Sequence, residues 1–347
     1  MDNIQLISLL FTCGFGLSVI PRAILILANR NWFKQGFMGD SSIHWVLVKT
    51  IKGNRNFDLI PQYLIGCEPS SYPRSFHHFA ALFPIELIRS WSWLPNFVLF
   101  GCFSGIFSIF AWYYASVTNL PNIQTTILAS ALFVFSLSNL TADGPAIAYL
   151  KLSERLYARL FGGAYFAAMA IGIDCGNQYC LIISIVSGAI AGTASTFGRQ
   201  AIWFVTPFVS LFLLDWTPII VMALATLGSI FLSGKQFFRG VKFTILLWKT
   251  YSSHTKKSKV QNEVLSRFLD FHILLGKRHT WKKKIHQLVF REPTRAMCRY
   301  PELVLFFIVC IFFEQSPSPT ILAIVLSSVL VYLLTSTKYL NHLGESY

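Results

Sequence analysis

Between residues 90 and 142 the chain carries no Asp, Glu, Lys, Arg or His. A run of that length is enough for two membrane helices of about 20 residues each. No ordinary water-facing surface can be drawn from it. The whole chain agrees. Its 347 residues are 54% hydrophobic and 13% charged, with a mean hydropathy of +0.54, whereas soluble domains carry about 25% charged residues. The expected fold class is therefore all-α, a polytopic membrane protein with about nine transmembrane helices.

The formal net charge of +14 would suggest nucleic acid in a soluble protein. Here the aromatic residues (32 Phe, 9 Trp, 13 Tyr) lie inside the apolar runs, and no nucleic-acid module is visible. Partners of the basic charge are then anionic lipid headgroups or lipid phosphates. The seven cysteines (13, 67, 102, 175, 180, 298 and 310) form no C-x-x-C pair. They read as small apolar residues, not as a disulfide framework or zinc site. The amino terminus lacks a basic n-region and a cleavage site, so it is expected to be a retained first span.

Taken in order, span 1 covers about residues 4–28, with Pro21-Arg22 interrupting its last third. Spans 2 and 3 fall near 95–117 and 122–140, and spans 4 and 5 near 160–174 and 178–194. A tight polar link, residues 195–200, leads to span 6 near 201–214, and span 7 ends at Gly234. Two further spans are expected near 301–314 and 318–336. This divides the chain into a seven-span module (1–234), a basic amphipathic loop (235–299) and a two-span carboxyl-terminal segment with a short tail (300–347). The basic loop holds sixteen Lys and Arg against Glu263, Asp270 and Glu292, with apolar punctuation typical of interfacial helices.

The loop 28–92 holds the first concentrated set of ionisable groups. In GDSSIHWVLVKTI (39–51), Ile43, Val46, Leu47 and Ile51 recur at helical spacing, with Gly53 as the stop. In YPRSFHHFAALFP (72–84), Phe76, Phe79, Ala80 and Phe83 make one apolar stripe. Both predict short amphipathic helices at the membrane surface. Asp40 opens the first, with His44 one turn later on the same face. An Asp there is an N-cap, and equally a carboxylate able to take a proton from an acceptor hydroxyl. The second helix brings Tyr72, Arg74, His77 and His78. Adjacent histidines on a helix point apart, so at most one faces a site. Asp40, His44 and one of these histidines form a set that a divalent metal could use, but the spacing is not a tight metal motif, so no cofactor is favoured. Lys49, Lys52 and Arg55 read as headgroup contacts. Arg199, in the link between two spans, is either a snorkelling residue or a bidentate phosphate contact. Asp143, Glu154, Arg155 and Arg159 are weaker candidates, and Asp174 and Asp215 read as caps or residues of the opposite surface.

The layout resembles the GT-C superfamily, the polytopic glycosyltransferases that use lipid-phosphate-linked sugars. The likeness rests on Asp40 in GDSSIHWVLVKTI, the segment YPRSFHHF, seven spans and a following loop, and it covers roughly residues 1–300. The D-x-x-x-H start followed by a YP-x-x-FH segment is also similar to bacterial members of that group. The resemblance implies an inverting hexosyl transfer from a polyprenyl-phosphate sugar donor to the hydroxyl of a glycan or glycolipid acceptor of the cell envelope. Asp40 would be the catalytic base, with Arg199 and basic residues of 235–299 holding the donor phosphate. His44, Tyr72, Arg74 and His77 would line the substrate site. It also implies a bacterial inner membrane with loop 28–92 on the exoplasmic side. The chain departs from the pattern in offering a single Asp followed by Ser41, where many members carry paired acids, and in ending two spans after the basic loop. A polysaccharide polymerase or ligase, or a lipid-linked glycan transporter, are the alternative readings. Placing the loop outside sets nearly all basic residues on the outer face, against the positive-inside tendency.

Overall fold

The computed structural model describes residues 3–28, 41–53, 74–117 apart from 92, residue 152, residues 154–242, residue 245 and parts of 319–330. All secondary structure among them is helical. In chain order the helices are α1 (Asn3–Ala28), α2 (Ser41–Lys52), α3 (Ser75–Ala80), α4 (Ile85–Ser90) and α5 (Leu94–Val117). Then come α6 (Glu154–Asp174), α7 (Gln178–Ala194), α8 (Thr196–Leu213) and α9 (Thr217–Ser233), followed by α10 (Lys235–Lys242).

The expected spans 1, 2, 4, 5, 6 and 7 each coincide with one long helix, with shifted ends. α1 continues through Pro21 without a break, and α6 starts at Glu154, ahead of the expected 160. The expected polar link 195–200 is mostly helix. Ser195 alone separates α7 from α8, and it serves as C-cap of one and N-cap of the other, its hydroxyl accepting from the Gly198 N–H at 3.2 Å. The expected segments 122–140, 251–299 and 301–314 lie outside the described residues, and 318–336 is described only in part.

Each remaining link is closed by a residue suited to it. Between α6 and α7, Gly176 takes φ +63° and Asn177 caps α7, its side-chain oxygen accepting from the N–H groups of Tyr179 and Cys180. The Asn177 amide also donates to the Tyr113 hydroxyl at 2.8 Å, tying this turn to the end of α5. Between α8 and α9, Leu214 sits in the left-handed region and Asp215 accepts from both the N–H and the hydroxyl of Thr217. Asp174 accepts from the Thr320 hydroxyl. Both acids thus lie in the end turns, as expected. At Gly234, φ +55°, the axis turns by 110° from α9 into α10.

The long helices alternate in direction except for α5 and α6, which run parallel, and this sorts their ends into two groups. Phe11 of α1 meets Gly105 of α5 and Phe15 meets Gly101, so these two run antiparallel. The end of α1, helices α2 to α4 and the starts of α5, α6 and α8 therefore gather at one end, with the close of α7 and α9. The turns at Asn177 and Asp215 mark the other.

Packing is inverted relative to a water-soluble bundle. The buried face of α7 is Ser184, Ser187, Gly188, Ala191 and Gly192, whereas Tyr179, Ile182, Ile183 and Val186 face outward. On α9, Val221, Ala225 and Ser229 are buried, while Ile220, Leu224, Leu227 and Phe231 are exposed, Phe231 at 90%. Small residues on both sides let the backbones close together, so that the Ser229 hydroxyl bonds the Ala189 carbonyl across the seam at 3.0 Å. Over the residues whose side chains are described, no single helix is long and apolar enough to cross a membrane. The bent pair α9–α10 together has the length and composition.

A Cβ added to Gly188 would lie 2.6 Å from the Tyr165 ring and 2.8 Å from the Ala225 methyl. The ring cannot swing away easily, because its hydroxyl is bonded to Thr206 at 3.0 Å. Gly188→Ala should therefore destabilise the protein by about 1–3 kcal/mol. Gly162→Ala, where a Cβ meets nothing within 4 Å, should be neutral or stabilising by up to ~1 kcal/mol. Thermal unfolding of the two purified variants checks the pair; equal shifts would contradict the seam.

Candidate functional site: a buried carboxylate–imidazole–imidazole chain

Of the stripe expected on α2, Leu47 is buried while Val46 and Ile51 are half-buried, and the buried face is completed by His44 and Val48. On α3, Phe76, His77 and Ala80 turn inward and His78 is exposed. The two histidines do point apart, as their adjacency requires. Helix α2 packs on α3, and α3 packs on α6 and α7. Val48, Phe76, Ala80 and Ile88 form one apolar cluster with Phe100, Phe103 and Phe107 of α5 and with Tyr157 and Leu160 of α6. Lys52, expected to meet lipid headgroups, instead donates to the carbonyls of Ala81 and Phe83 in the turn that leads to α4.

Inside this apolar casing lies a short polar chain. His44 Nε2 stands 2.7 Å from Glu154 Oε2, and His44 Nδ1 stands 2.9 Å from His77 Nε2. The His44 and His77 rings are stacked, 5.2 Å between centroids, and Phe76 meets the edge of His44. The Glu154 carboxylate oxygen faces one His44 ring nitrogen, and the contact between the two imidazoles takes one hydrogen, held by either ring according to the tautomer.

Both ring nitrogens of His44 are committed to these partners, so the three side chains are strung in a line and do not converge on a common point. Among the described residues no group of three His, Cys, Asp or Glu is arranged to hold a metal ion.

The site differs in part from the one expected. His44 and His77 are brought together. Arg74 is the residue just before α3, half-buried. Arg199 is buried at the same end of the bundle, under α10, in a separate setting. Asp40 and Tyr72 lie outside the described residues, although Asp40 immediately precedes α2 in the chain. Glu154, a weaker candidate from sequence, is at the centre. An acid in a first helical turn usually serves the helix dipole, which hides any other role. The available signal was its company, a lone acid among Lys151, Arg155 and Arg159. Tyr157, one turn on, was also missed; its ring packs on Phe76 and Phe79.

Burial sets the electrostatics around the chain. Partial burial of its ring, on an otherwise exposed residue, lowers the pKa of His78, with the Arg74 charge acting the same way, and deeper burial pushes the Tyr157 phenol up to about 12. No protein-family model, characterised protein or solved structure matches this chain.

Two outcomes follow. Glu154→Gln replaces the carboxylate that faces His44 by an amide in a buried place and should cost about 1–3 kcal/mol. In a double-mutant cycle with His44→Gln, the paired losses should be clearly non-additive; additive losses would mean that the contact carries no energy. For Tyr157 the folded pKa lies above the unfolded value near 10. Its contribution is full below pH 10 and is lost as pH rises toward about 12, because the unfolded chain releases the proton first. Tyr157→Phe should remove that alkaline slope in a stability–pH series.

Proposed function

We propose that this chain is a polytopic membrane protein of about nine spans, whose helices α2 and α3 lie at the membrane surface. The inverted packing supports the membrane reading. The eight outward-facing side chains of α7 and α9 named above are each worth about 1.5–3 kcal/mol when fully removed from water. At their exposures the forgone stabilisation is on the order of 10 kcal/mol, as large as the net stability of a typical domain. A lipid surround removes that deficit. It also favours the small-residue seams, since large apolar side chains gain nothing by facing one another when lipid is equally apolar. The 110° turn at Gly234 suits a helix that leaves the membrane and continues along its surface.

Within that frame we propose a glycosyltransferase of the GT-C kind. It would move a sugar from a polyprenyl-phosphate donor to a hydroxyl acceptor, with Asp40 as the base. One observation carries this reading beyond the sequence. A buried Glu154–His44–His77 chain includes His44 of α2, the helix whose first residue, Ser41, follows Asp40 in the sequence. In the reaction Asp40 removes the acceptor hydroxyl's proton as that oxygen attacks the anomeric carbon. The bond from that carbon to the phosphate oxygen breaks, and the phosphate leaves with the electron pair. The proton taken by Asp40 then leaves to water, directly or by way of the imidazole pair, and the carboxylate is restored for the next turnover. A proton-accepting group placed for such a step is worth about 10²–10⁴ in rate.

A second reading of orientation is favoured by charge. The described turns at the far end, 175–177 and 214–216, hold no Lys or Arg, whereas Lys49, Lys52, Arg74, Arg89, Lys235, Arg239 and Lys242 gather at the site end. By the positive-inside tendency the site end would face the cytoplasm. Thiol labelling of Cys67 in intact cells decides. Labelling from outside gives the exoplasmic orientation; labelling only after permeabilisation gives the reverse.

For activity, membranes carrying Asp40→Asn should lose at least about 10²-fold in transfer from a polyprenyl-phosphate sugar. Glu154→Gln should shift the pH profile. Undiminished transfer by correctly inserted Asp40→Asn protein would end the catalytic assignment.

A further inference from the structure

Three consecutive helices, α7, α8 and α9, hold 17, 18 and 17 residues. At about 1.5 Å per residue each reaches about 25–27 Å. The hydrocarbon core of an average bilayer is about 30 Å thick, and a helix needs about 20 residues to cross it. The links between these helices lend almost no extra length. Ser195 is the whole of the first, and Leu214, Asp215 and Trp216 are the whole of the second. Pro207 lies inside α8, and a bend there only shortens the reach of that helix. Tilting shortens it as well. The two ends of this part of the bundle are therefore tied together at a fixed and small separation.

The side chains mark the same two levels. At the far end Tyr179 and Trp216 are 79% and 76% exposed, beside the polar residues Asn177 and Asp215. At the site end Trp91 is exposed and stacks on Trp93, and Lys235 is exposed just past the turn at Gly234. Tyr and Trp settle at headgroup level, so each end carries its own aromatic marker. Helix α6 has 21 residues, but its first two turns pack into the apolar cluster with Phe76 and Ala80 of α3. Past Arg159 it runs without charge only from 160 to 173, before Asp174. Helices α1 and α5 are longer, at 26 and 24 residues. A long helix can tilt to fit a thin layer, whereas a short one cannot stretch to fit a thick one. Helix α5 reaches the far level at Tyr113, which bonds Asn177, and then runs on to Val117.

We propose that the outward face of α7–α9 is matched to a thin bilayer of short-chain phospholipids, with a hydrocarbon core of about 25 Å rather than about 30 Å. The inference rests on the membrane reading and does not depend on sugar transfer. In a thicker bilayer the turns 175–177 and 214–216 are drawn into hydrocarbon. The backbone groups of those turns and the Asp215 carboxylate then lose contact with water, which destabilises the protein. The alternative is that lipid thins around the bundle, and the bilayer bears the cost instead. Either way stability falls as the acyl chains lengthen.

The test reconstitutes the full chain into phosphatidylcholine vesicles whose monounsaturated chains have fourteen, sixteen, eighteen, twenty or twenty-two carbons. Monounsaturation keeps every bilayer in the series fluid, so that thickness is the property that varies. Insertion is read by flotation of the vesicles after an alkaline carbonate wash. Stability is read by thermal unfolding, followed through tryptophan fluorescence. The protein should float with the vesicles, and its melting temperature should peak at fourteen or sixteen carbons. By twenty-two carbons it should have fallen by several degrees. A peak at eighteen carbons or more, or a melting temperature that ignores chain length, would overturn the proposal and leave the membrane reading standing. Protein that floats with none of the five would remove the membrane reading, and this inference with it.

Discussion

The contact between Glu154 and His44 joins two parts of the chain that are 110 residues apart. It fastens the helices after α1 to the head of α6. A buried carboxylate would be intolerable alone. The His44 imidazole faces it at 2.7 Å, and the second imidazole extends the chain to α3. Register follows from this. If α2 slid by one residue along its groove, His44 would leave the carboxylate and Val48 would leave the apolar cluster together, so the polar and apolar terms select one arrangement.

Much of the architecture could be read from the residues. Spans 2, 5 and 7 end within a residue or two of α5, α7 and α9, because Pro, Asn-Gln and Gly mark those ends chemically. Helix α2 was legible too, from the spacing of Ile43, Leu47 and Ile51 and from the position of Gly53. The link 195–200 was misjudged for a physical reason. Ser, Thr, Gly, Arg and Gln in succession look like a turn, but Ser195 alone caps, and Gly198 is there for close approach to the Ala191 carbonyl rather than to bend the chain. Glu154 was under-weighted because nothing in a single sequence tells a dipole-serving acid from one turned inward. Its partner is supplied by a segment a hundred residues earlier, a relation that only the fold creates.

The buried faces of α7 and α9 are built mainly of small residues. Where helices meet through Gly, Ala and Ser, bulk no longer specifies the fit, and specificity falls to directional bonds. Ser184 to the Tyr165 carbonyl, Ser229 to the Ala189 carbonyl, Tyr165 to Thr206 and Trp203 to Thr226 are spread along α6–α9. They index the helices against one another, as interlocking bulky side chains do elsewhere.

The single-residue junction at Ser195 fixes more than a turn. With nothing between the helices but one shared cap, the angular phase of α8 about its own axis is locked to α7. A helix advances about 100° per residue. One residue inserted after Ser195 would carry Arg199 a quarter-turn or more out of its setting under α10 and bring a neighbour into its place. One deleted would rotate it the other way. Chain length at this point therefore behaves as a coordinate of the packing, and the junction should tolerate changes in kind far better than changes in number.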